Sequence, residues 1–201
     1  MYHFETILFT VDSGIAILTL NRQQALNALN FSMMADIASA INIVESDSNI
    51  RALIITGAGR AFCSGQDLHN RPPQGDDVVT ALMNGYFPTL QAIKNCSVPV
   101  ITAVNGVAAG AGCAFALLGN LTIAAESASF IQVFSRIGLA PDLGSTHLLP
   151  RLIGRSRALK MMLTNEPISA KKALRWGMIH ACVGDRELVA NAVEHAHLLS
   201  A

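Results

Sequence analysis

Two glycine-rich turns in this sequence could each present a free backbone N–H group to a developing negative charge. One turn contains Ser64-Gly65-Gln66 and the other contains Gly110-Ala111-Gly112, and each follows an apolar run typical of a buried strand. The second turn leads into an apolar helix-like segment, and the first N–H groups of a helix have no partner within it. Together with the helix dipole, such groups can hold a phosphate, a carboxylate or an oxyanion. Two such turns side by side could direct two N–H groups at one oxygen atom.

The uncharged stretch 95–125, which contains the second turn, has three interpretations. A membrane span needs about 20 continuous apolar helical residues, but Pro99, Asn105-Gly106 and Gly119-Asn120 interrupt the run. Periodicity alone favours a strand, a turn and a core helix whose glycines serve only close packing. The functional interpretation is anion binding. A nucleotide phosphate is disfavoured because Phe115 breaks the G-x-G-x-x-G fingerprint and no P-loop lysine follows, which leaves an oxyanion.

Asp142 is the candidate acid or base. It lies in the turn-rich segment 136–146, next to the apolar residues Leu139, Ala140 and Leu143. Burial among these residues would raise the pKa of Asp142 and strengthen it as a base. The alternative is a turn residue or a helix cap, which the local sequence favours when taken by itself.

The composition restricts the classes of function. Of the 201 residues, 14% are charged, against a usual share of about 25%, which predicts surface buried against other subunits. The 14 basic and 14 acidic residues cancel, so nothing indicates a nucleic-acid partner.

The N-terminus lacks the pattern of a signal peptide. The cysteines form no C-x-x-C pair and are expected to be reduced core residues of a cytoplasmic protein, without disulfides or a zinc site. They are Cys63, Cys96, Cys113 and Cys182.

Strands and helices that alternate along the chain must position these residues, which predicts an α/β fold with ligands at the carboxyl ends of strands. The predicted strands are 7–11, 15–20, 52–56, 100–104 and 129–134, and the predicted helices are 31–44, 78–94, 113–118, 170–176 and 185–199. Ser169 and Asp185 are the expected N-caps of the last two helices, and Gly177 is the expected stop of the first of them. The polar segment 69–77 is expected to be a mobile loop.

Four segments together resemble the crotonase (enoyl-CoA hydratase/isomerase) superfamily, and the resemblance covers about residues 5–195. The segments are 21–29 (NRQQALNAL), 60–68 (RAFCSGQDL), 103–112 (AVNGVAAGAG) and 134–142 (FSRIGLAPD). The resemblance implies an α/β fold built as a ββα spiral with helices around the sheet, in a single domain, 1–201. About 5–150 would form the spiral core, and about 151–201 a helical C-terminal part that is shorter than in the family.

The resemblance also implies a site. In the family, the carbonyl oxygen of an acyl-CoA thioester lies between two backbone N–H groups, which correspond here to Gln66 and Ala111. Asp142 corresponds to a catalytic aspartate of the isomerases. The two glutamates of the hydratases correspond to Ala114 and Phe134, which cannot transfer protons. The residues that would contact the substrate are Ala25, Ser64, Gly65, Gln66, Asp67, Leu68 and Gly110.

The activity that the resemblance implies is acyl-CoA isomerisation without a cofactor or a metal. The motifs are most similar to the branch that converts 1,2-epoxyphenylacetyl-CoA to oxepin-CoA in phenylacetate breakdown, and a Δ3-Δ2 enoyl-CoA isomerase of fatty acid metabolism is a related possibility. The alternatives are an enoyl-CoA hydratase and a non-catalytic acyl-CoA-binding subunit. The expected partners are the acyl-CoA substrate and further copies of the chain, in a homotrimer or hexamer, with no nucleic acid and no membrane.

Overall fold

A six-stranded sheet lies at the centre of the fold, and the computed structural model describes residues 2–69 and 77–200. The first two strands, β1 (Ile7–Asp12) and β2 (Ile15–Leu20), form an antiparallel hairpin. Ser13 and Gly14 close it with positive φ angles of 51° and 79°. The hairpin predicted from Asp-Ser-Gly between two β-rich runs is therefore confirmed.

The other strands of this sheet are parallel, and the strand order is β1-β2-β3-β5-β7-β10. They are β3 (Ala52–Gly57), β5 (Val100–Val104), β7 (Leu121–Ala125) and β10 (Ala181–Val183). All five residues of β5 are buried, as is typical of a parallel strand covered on both faces.

A second, four-stranded sheet lies beside the first, in the order β4-β6-β8-β9. Its strands are β4 (Ala61–Cys63), β6 (Val107–Ala109), β8 (Ser129–Ile131) and β9 (Ile168–Ser169). Strands β4, β6 and β8 each follow a strand of the first sheet, so the chain passes from one sheet to the other in three successive turns. This repeated step confirms the predicted α/β fold with its ββα spiral.

Helices surround the two sheets. They are α1 (Phe31–Ser46), α2 (Val78–Gly85), α3 (Phe87–Lys94), α4 (Ala111–Ala116), α5 (Ser145–Ile153), α6 (Arg155–Thr164), α7 (Ala170–Arg175) and α8 (Leu188–Leu199). Helix α1 begins after Asn30, whose side chain accepts the Met33 N–H at 2.8 Å. Ser169 caps α7 by accepting the Lys172 N–H at 3.3 Å, as predicted.

Three sequence predictions are wrong in detail. The helix predicted over 78–94 is two helices, α2 and α3, which meet at Tyr86; Pro88 lies in the first turn of α3, where its missing N–H costs nothing. The strand predicted over 129–134 ends at Ile131, because a short 3-10 helix begins at Phe134. Asp185 does not cap the last helix, since its carboxylate accepts the Ser127 N–H at 3.1 Å and α8 begins only at Leu188.

Two further predictions concern the absence of a membrane span and a mobile loop. Within residues 2–69 and 77–200, no helix combines the length and the apolar character that crossing a bilayer requires. The predicted mobile loop at 69–77 lies, except for its two end residues, outside the described residues.

Candidate active site

The backbone around Gln66 is fixed by a bridge to Leu29. The Leu29 N–H donates to the Gly65 carbonyl, and the Asp67 N–H donates to the Leu29 carbonyl, both at 2.8 Å. Successive N–H groups of an extended segment point to opposite sides. The bridge therefore uses the groups on either side of Gln66 and leaves the N–H of Gln66 itself directed away from Leu29.

The second turn places Ala111 at the start of α4. Gly110 precedes the helix with φ 52° and ψ −121°, a conformation outside the regions that residues with a Cβ adopt readily. Its N–H donates to the Ile131 carbonyl at 2.8 Å, which ties the turn to β8. Since Ala111 is the first residue of α4, its N–H has no acceptor within the helix.

The two turns are in contact. An ideal Cβ on Gly65 would lie 3.0 Å from the Ala109 carbonyl oxygen and 3.7 Å from the Ala111 nitrogen. The contact follows from the parallel pairing of β4 with β6, which brings the ends of these strands together. A glycine at position 65 is also required by its φ of 115°. The structure thus brings the Gly65 backbone beside the Ala111 nitrogen, and that the N–H groups of Gln66 and Ala111 point at one oxygen stays a prediction.

Asp142 lies just before α5 and lines a pocket of about 540 Å³. The pocket is bounded by α2, α3, the end of α4 and the start of α5, and its lining is mostly apolar. The lining residues are Leu82, Met83, Tyr86, Phe87, Leu90, Gln91, Lys94, Leu118, Asp142, Leu143, Gly144, His147 and Leu148. Burial raises the pKa of Asp142, but the expected burial among its sequence neighbours is wrong for two of the three, because Leu139 is 53% exposed and Ala140 is also exposed, while Leu143 is partly buried. Its Oδ1 is buried and has no hydrogen-bond partner among the described residues.

The helix-cap alternative for Asp142 does not agree with the geometry. Helix α5 begins after Gly144, and no side chain caps its start. The Ser145 N–H donates to the backbone carbonyl of Asp142, at 2.9 Å, and not to its carboxylate; this bond between residues three apart is that of a turn, so the alternative of a turn residue agrees with the structure and only the helix cap does not. Within the described residues, Oδ1 of Asp142 is therefore a buried oxygen that makes no hydrogen bond.

An ion pair supports the loop that carries Gln66. The Arg22 guanidinium lies 2.8 Å from the Asp67 carboxylate and donates to the Ala28 carbonyl at 2.6 Å. Burial by itself would raise the pKa of Asp67, but the hydrogen bonds from Arg22 and from the His69 N–H outweigh it and lower the pKa. Asn27, which is fully buried, donates to the carbonyls of Ala58 and Ala61 at 2.9 and 2.8 Å. The segment 21–29 thus braces both ends of β4.

The profile of the enoyl-CoA hydratase/isomerase family matches residues 10–201. The chain belongs to the enoyl-CoA hydratase/isomerase family. It is 46% identical over 182 residues to a probable enoyl-CoA hydratase of Rhodobacter capsulatus, covering 90% of this chain and 70% of that protein. It is also 46% identical over 200 residues to the 1,2-epoxyphenylacetyl-CoA isomerase of Escherichia coli K12, covering 98% of this chain and 76% of that protein.

Solved structures of this enoyl-CoA hydratase/isomerase family share the fold. The crystal structure of an enoyl-CoA hydratase from Bacillus anthracis superposes with a TM-score of 0.90 at 32% identity, over 97% of this chain and 76% of that one. Relatives with two different reaction names are equally similar to this chain. Overall similarity therefore establishes the family but not the reaction, which depends on the residues of the site.

The other predicted site residues of this family member lie around the Gln66 loop. The Ser64 hydroxyl donates to the Ala25 carbonyl at 3.2 Å, which joins two of them. Leu68 is 66% exposed and packs little against the described chain. Ala114 and Phe134 are both buried. The ring of Phe134 lies 3.8 Å from where a Cβ on Gly110 would be, so an apolar ring borders the second turn.

The expectation that all four cysteines are core residues is only half right, since Cys63 and Cys113 are buried whereas Cys96 and Cys182 are partly exposed. All four cysteines are free, and burial raises the pKa of Cys63 and of Cys113 to about 12, which makes them poor nucleophiles. Among the described residues, no group of three or more histidine, cysteine, aspartate or glutamate side chains is arranged to hold a metal ion.

Sequence reasoning missed Tyr86. This residue lines the pocket of Asp142, and its hydroxyl donates to the Leu29 carbonyl at 2.9 Å, so it joins the pocket to the Gln66 loop. The sequence indicates it only by the polar hydroxyl group of a tyrosine within an apolar helical pattern. The acceptor is 57 residues away along the chain and could not be inferred locally.

Proposed function

We propose that the protein is an acyl-CoA isomerase that works through an enolate of the thioester. The observation that carries the proposal is the Asp142 carboxyl group, which lines an apolar pocket with one oxygen buried and unpartnered among the described residues. The positions that would hold the two glutamates of a hydratase are occupied by Ala114 and Phe134. A single carboxyl group suits a reaction that moves a proton between two carbons and adds no water.

The thioester carbonyl oxygen would accept hydrogen bonds from the N–H groups of Gln66 and Ala111. When a proton leaves the carbon next to the thioester, negative charge develops on that oxygen. Preorganised backbone donors stabilise the charge without having to reorient, and the loss of one such donor typically lowers the rate about 10²- to 10³-fold. The contact between the Gly65 and Ala111 segments supports this pairing of donors.

Asp142 would remove a proton from one carbon of the acyl group and return it to another. Its raised pKa makes the carboxylate a stronger base than an exposed aspartate, and so favours proton abstraction at neutral pH. The apolar lining of the pocket would hold the acyl group and keep water from the enolate. The Phe134 ring beside Gly110 supports the same exclusion of water.

The substrate proposed first is 1,2-epoxyphenylacetyl-CoA, with oxepin-CoA as the product. The support is the 46% identity to the Escherichia coli protein of that name together with the apolar pocket. A Δ3-enoyl-CoA is the second candidate substrate, since its isomerisation needs the same enolate and the same proton shuttle. Neither conversion needs a cofactor.

The test is the conversion of both thioesters by the wild type, by Asp142→Asn and by the control Asp12→Asn. Asp12 is an exposed carboxylate of the hairpin, and its substitution is expected to leave the rate unchanged. Asp142→Asn is expected to lower kcat by about 10²- to 10⁴-fold, because general acid–base groups contribute that much. Equal rates for Asp142→Asn and the wild type would remove Asp142 from the mechanism.

Hydration of enoyl-CoA is the second candidate function, and the 46% identity to the Rhodobacter capsulatus protein favours it. Formation of 3-hydroxybutyryl-CoA from crotonyl-CoA would support hydration against isomerisation. Binding of these thioesters without any turnover would support a non-catalytic acyl-CoA-binding subunit.

We further propose a homotrimer or hexamer in the cytoplasm. The low share of charged residues, 14%, supports burial of surface between subunits. A monomer in sedimentation equilibrium at micromolar concentration would contradict this assembly.

A further inference from the structure

We infer that Tyr86 is a positioning residue that holds the Gln66 N–H in place by fixing the Leu29 carbonyl. The inference rests on the proposed function, because the Gln66 N–H matters only if it binds a thioester oxygen. Tyr86 itself would not touch that oxygen. It would act through the Leu29–Gln66 bridge.

The ring of Tyr86 is itself held rigidly. Its side chain is 1% exposed and lies where α2 meets α3. It packs edge-to-face on Phe31 with ring centroids 5.2 Å apart and an interplanar angle of 79°. A donor on such a ring has little freedom, and it can therefore fix the direction of its acceptor.

The acceptor is the centre of the bridge. The Leu29 carbonyl receives the Tyr86 hydroxyl at 2.9 Å and the Asp67 N–H at 2.8 Å, while the Leu29 N–H donates to Gly65 at 2.8 Å. The two bonds of the bridge hold Gly65 and Asp67, the neighbours of Gln66, and the Tyr86 bond holds the Leu29 carbonyl between them. Because the two neighbours are fixed, the peptide that carries the Gln66 N–H can rotate little.

The hydroxyl stays a donor throughout the working pH range. Burial, reinforced by the nearby charge of Asp67, raises the pKa of Tyr86. The same side chain forms part of the wall of the pocket that contains Asp142. Tyr86 therefore lies between the Gln66 loop and the pocket that contains Asp142.

Tyr86→Phe is the variant that separates positioning from packing. It keeps the ring in the pocket wall and against Phe31, and it leaves the Leu29 carbonyl with the Asp67 N–H as its donor, so the carbonyl is not orphaned. Thr89→Val is the matched control. Thr89 is also buried on α3, and its hydroxyl donates to the Met34 carbonyl at 3.1 Å, away from the bridge.

The first measurement is amide hydrogen exchange in the ligand-free full chain. Tyr86→Phe is expected to speed exchange of the Leu29 and Asp67 amides about tenfold, because the local opening of the bridge becomes easier. Thr89→Val is expected to leave these two amides unchanged. Equal protection of both amides in Tyr86→Phe and the wild type would overturn the inference, whatever the protein's activity.

The second measurement uses a chromophoric thioester, 4-dimethylaminocinnamoyl-CoA, whose absorbance moves to longer wavelength when its carbonyl is polarised. The wild type and Thr89→Val are expected to give the full shift, and Tyr86→Phe a smaller one. Its kcat for isomerisation should fall about tenfold with KM within about twofold, as expected when a donor is displaced rather than removed. An undiminished shift and kcat in Tyr86→Phe would also overturn the inference. No shift in the wild type would reject the proposed oxyanion site itself, and amide exchange would still decide whether Tyr86 fixes the bridge.

Discussion

At the scale of the residue, the surroundings of Asp142 make its carboxylate a stronger base and disfavour its ionised form. Its Oδ1 is buried without a partner among the described residues, and burial raises its pKa. A carboxylate in such a place costs folding free energy, because it gives up water without gaining a hydrogen bond. Such a cost is typical of groups retained for function and not for stability.

This cost predicts that Asp142→Asn stabilises the ligand-free protein, by about 1 kcal/mol at pH 7. Because folding raises the pKa of Asp142, the unfolded chain ionises at lower pH than the folded one, and ionisation favours unfolding. The gain from Asp142→Asn is therefore present at neutral pH and shrinks as the pH falls towards about 4, the ordinary range of an aspartate.

Urea unfolding at pH 7 and at pH 4 measures the change, with Asp12→Asn as the exposed control. A loss of stability of the same size at both pH values would contradict this account of Asp142. The residue itself was identified from the turn-rich segment and the resemblance. Its unpartnered oxygen was not, because burial is a property of the folded chain, and two of the neighbours expected to cover it, Leu139 and Ala140, are exposed.

At the scale of the element, the start of α4 depends on the conformation of Gly110. A Cβ there would lie 3.1 Å from Cγ2 of Val133, which is tighter than an ordinary van der Waals contact, and the positive φ of 52° adds backbone strain. Both effects act on the residue directly before Ala111. The glycine therefore sets the direction of the first N–H groups of the helix.

Gly110→Ala is expected to lower the free energy of unfolding by about 1–3 kcal/mol, and to lower kcat for isomerisation as the Ala111 N–H moves. Gly138→Ala is the control, since Gly138 also has a positive φ, 72°, but nothing lies within 4 Å of its Cβ position. The control should lose about 1 kcal/mol and keep its kcat. Urea unfolding and steady-state kinetics measure both effects. A normal kcat in Gly110→Ala would remove this turn from the proposed site.

Some elements can be predicted from local sequence patterns alone. Buried strands such as β5 and the glycine turn after β6 follow from short-range signals, because a β-branched run and a positive φ are local properties. The helix predicted over 78–94 was wrong because its apolar pattern continues across the break at Tyr86. Pro88 carried the signal for that break, since proline is favoured in the first turn of a helix.

At the scale of the whole molecule, the site exists because the chain passes between two sheets in a repeated step. Strands β4 and β6 pair in parallel only after each has left the central sheet, and this pairing brings the turns at Gly65 and Ala111 into contact. The alternation of strands and helices predicted the α/β class. The two-sheet spiral came from the resemblance, because pairing between strands distant in the sequence leaves no trace in local periodicity.

Isomerisation through Asp142 requires the enolate and the carboxyl group to meet at one place, and deuterium transfer tests this most directly. The substrate is 3-hexenoyl-CoA carrying deuterium at C2, converted in ordinary water, and the label at C4 of the 2-hexenoyl-CoA product is measured by mass spectrometry. A single shielded carboxyl group predicts that the wild type and Asp12→Asn move part of the deuterium from C2 to C4, and that Asp142→Asn moves none. Two results would contradict a proton shuttle through Asp142. One is the absence of deuterium at C4 of the wild-type product, and the other is equal transfer to C4 in Asp142→Asn and the wild type.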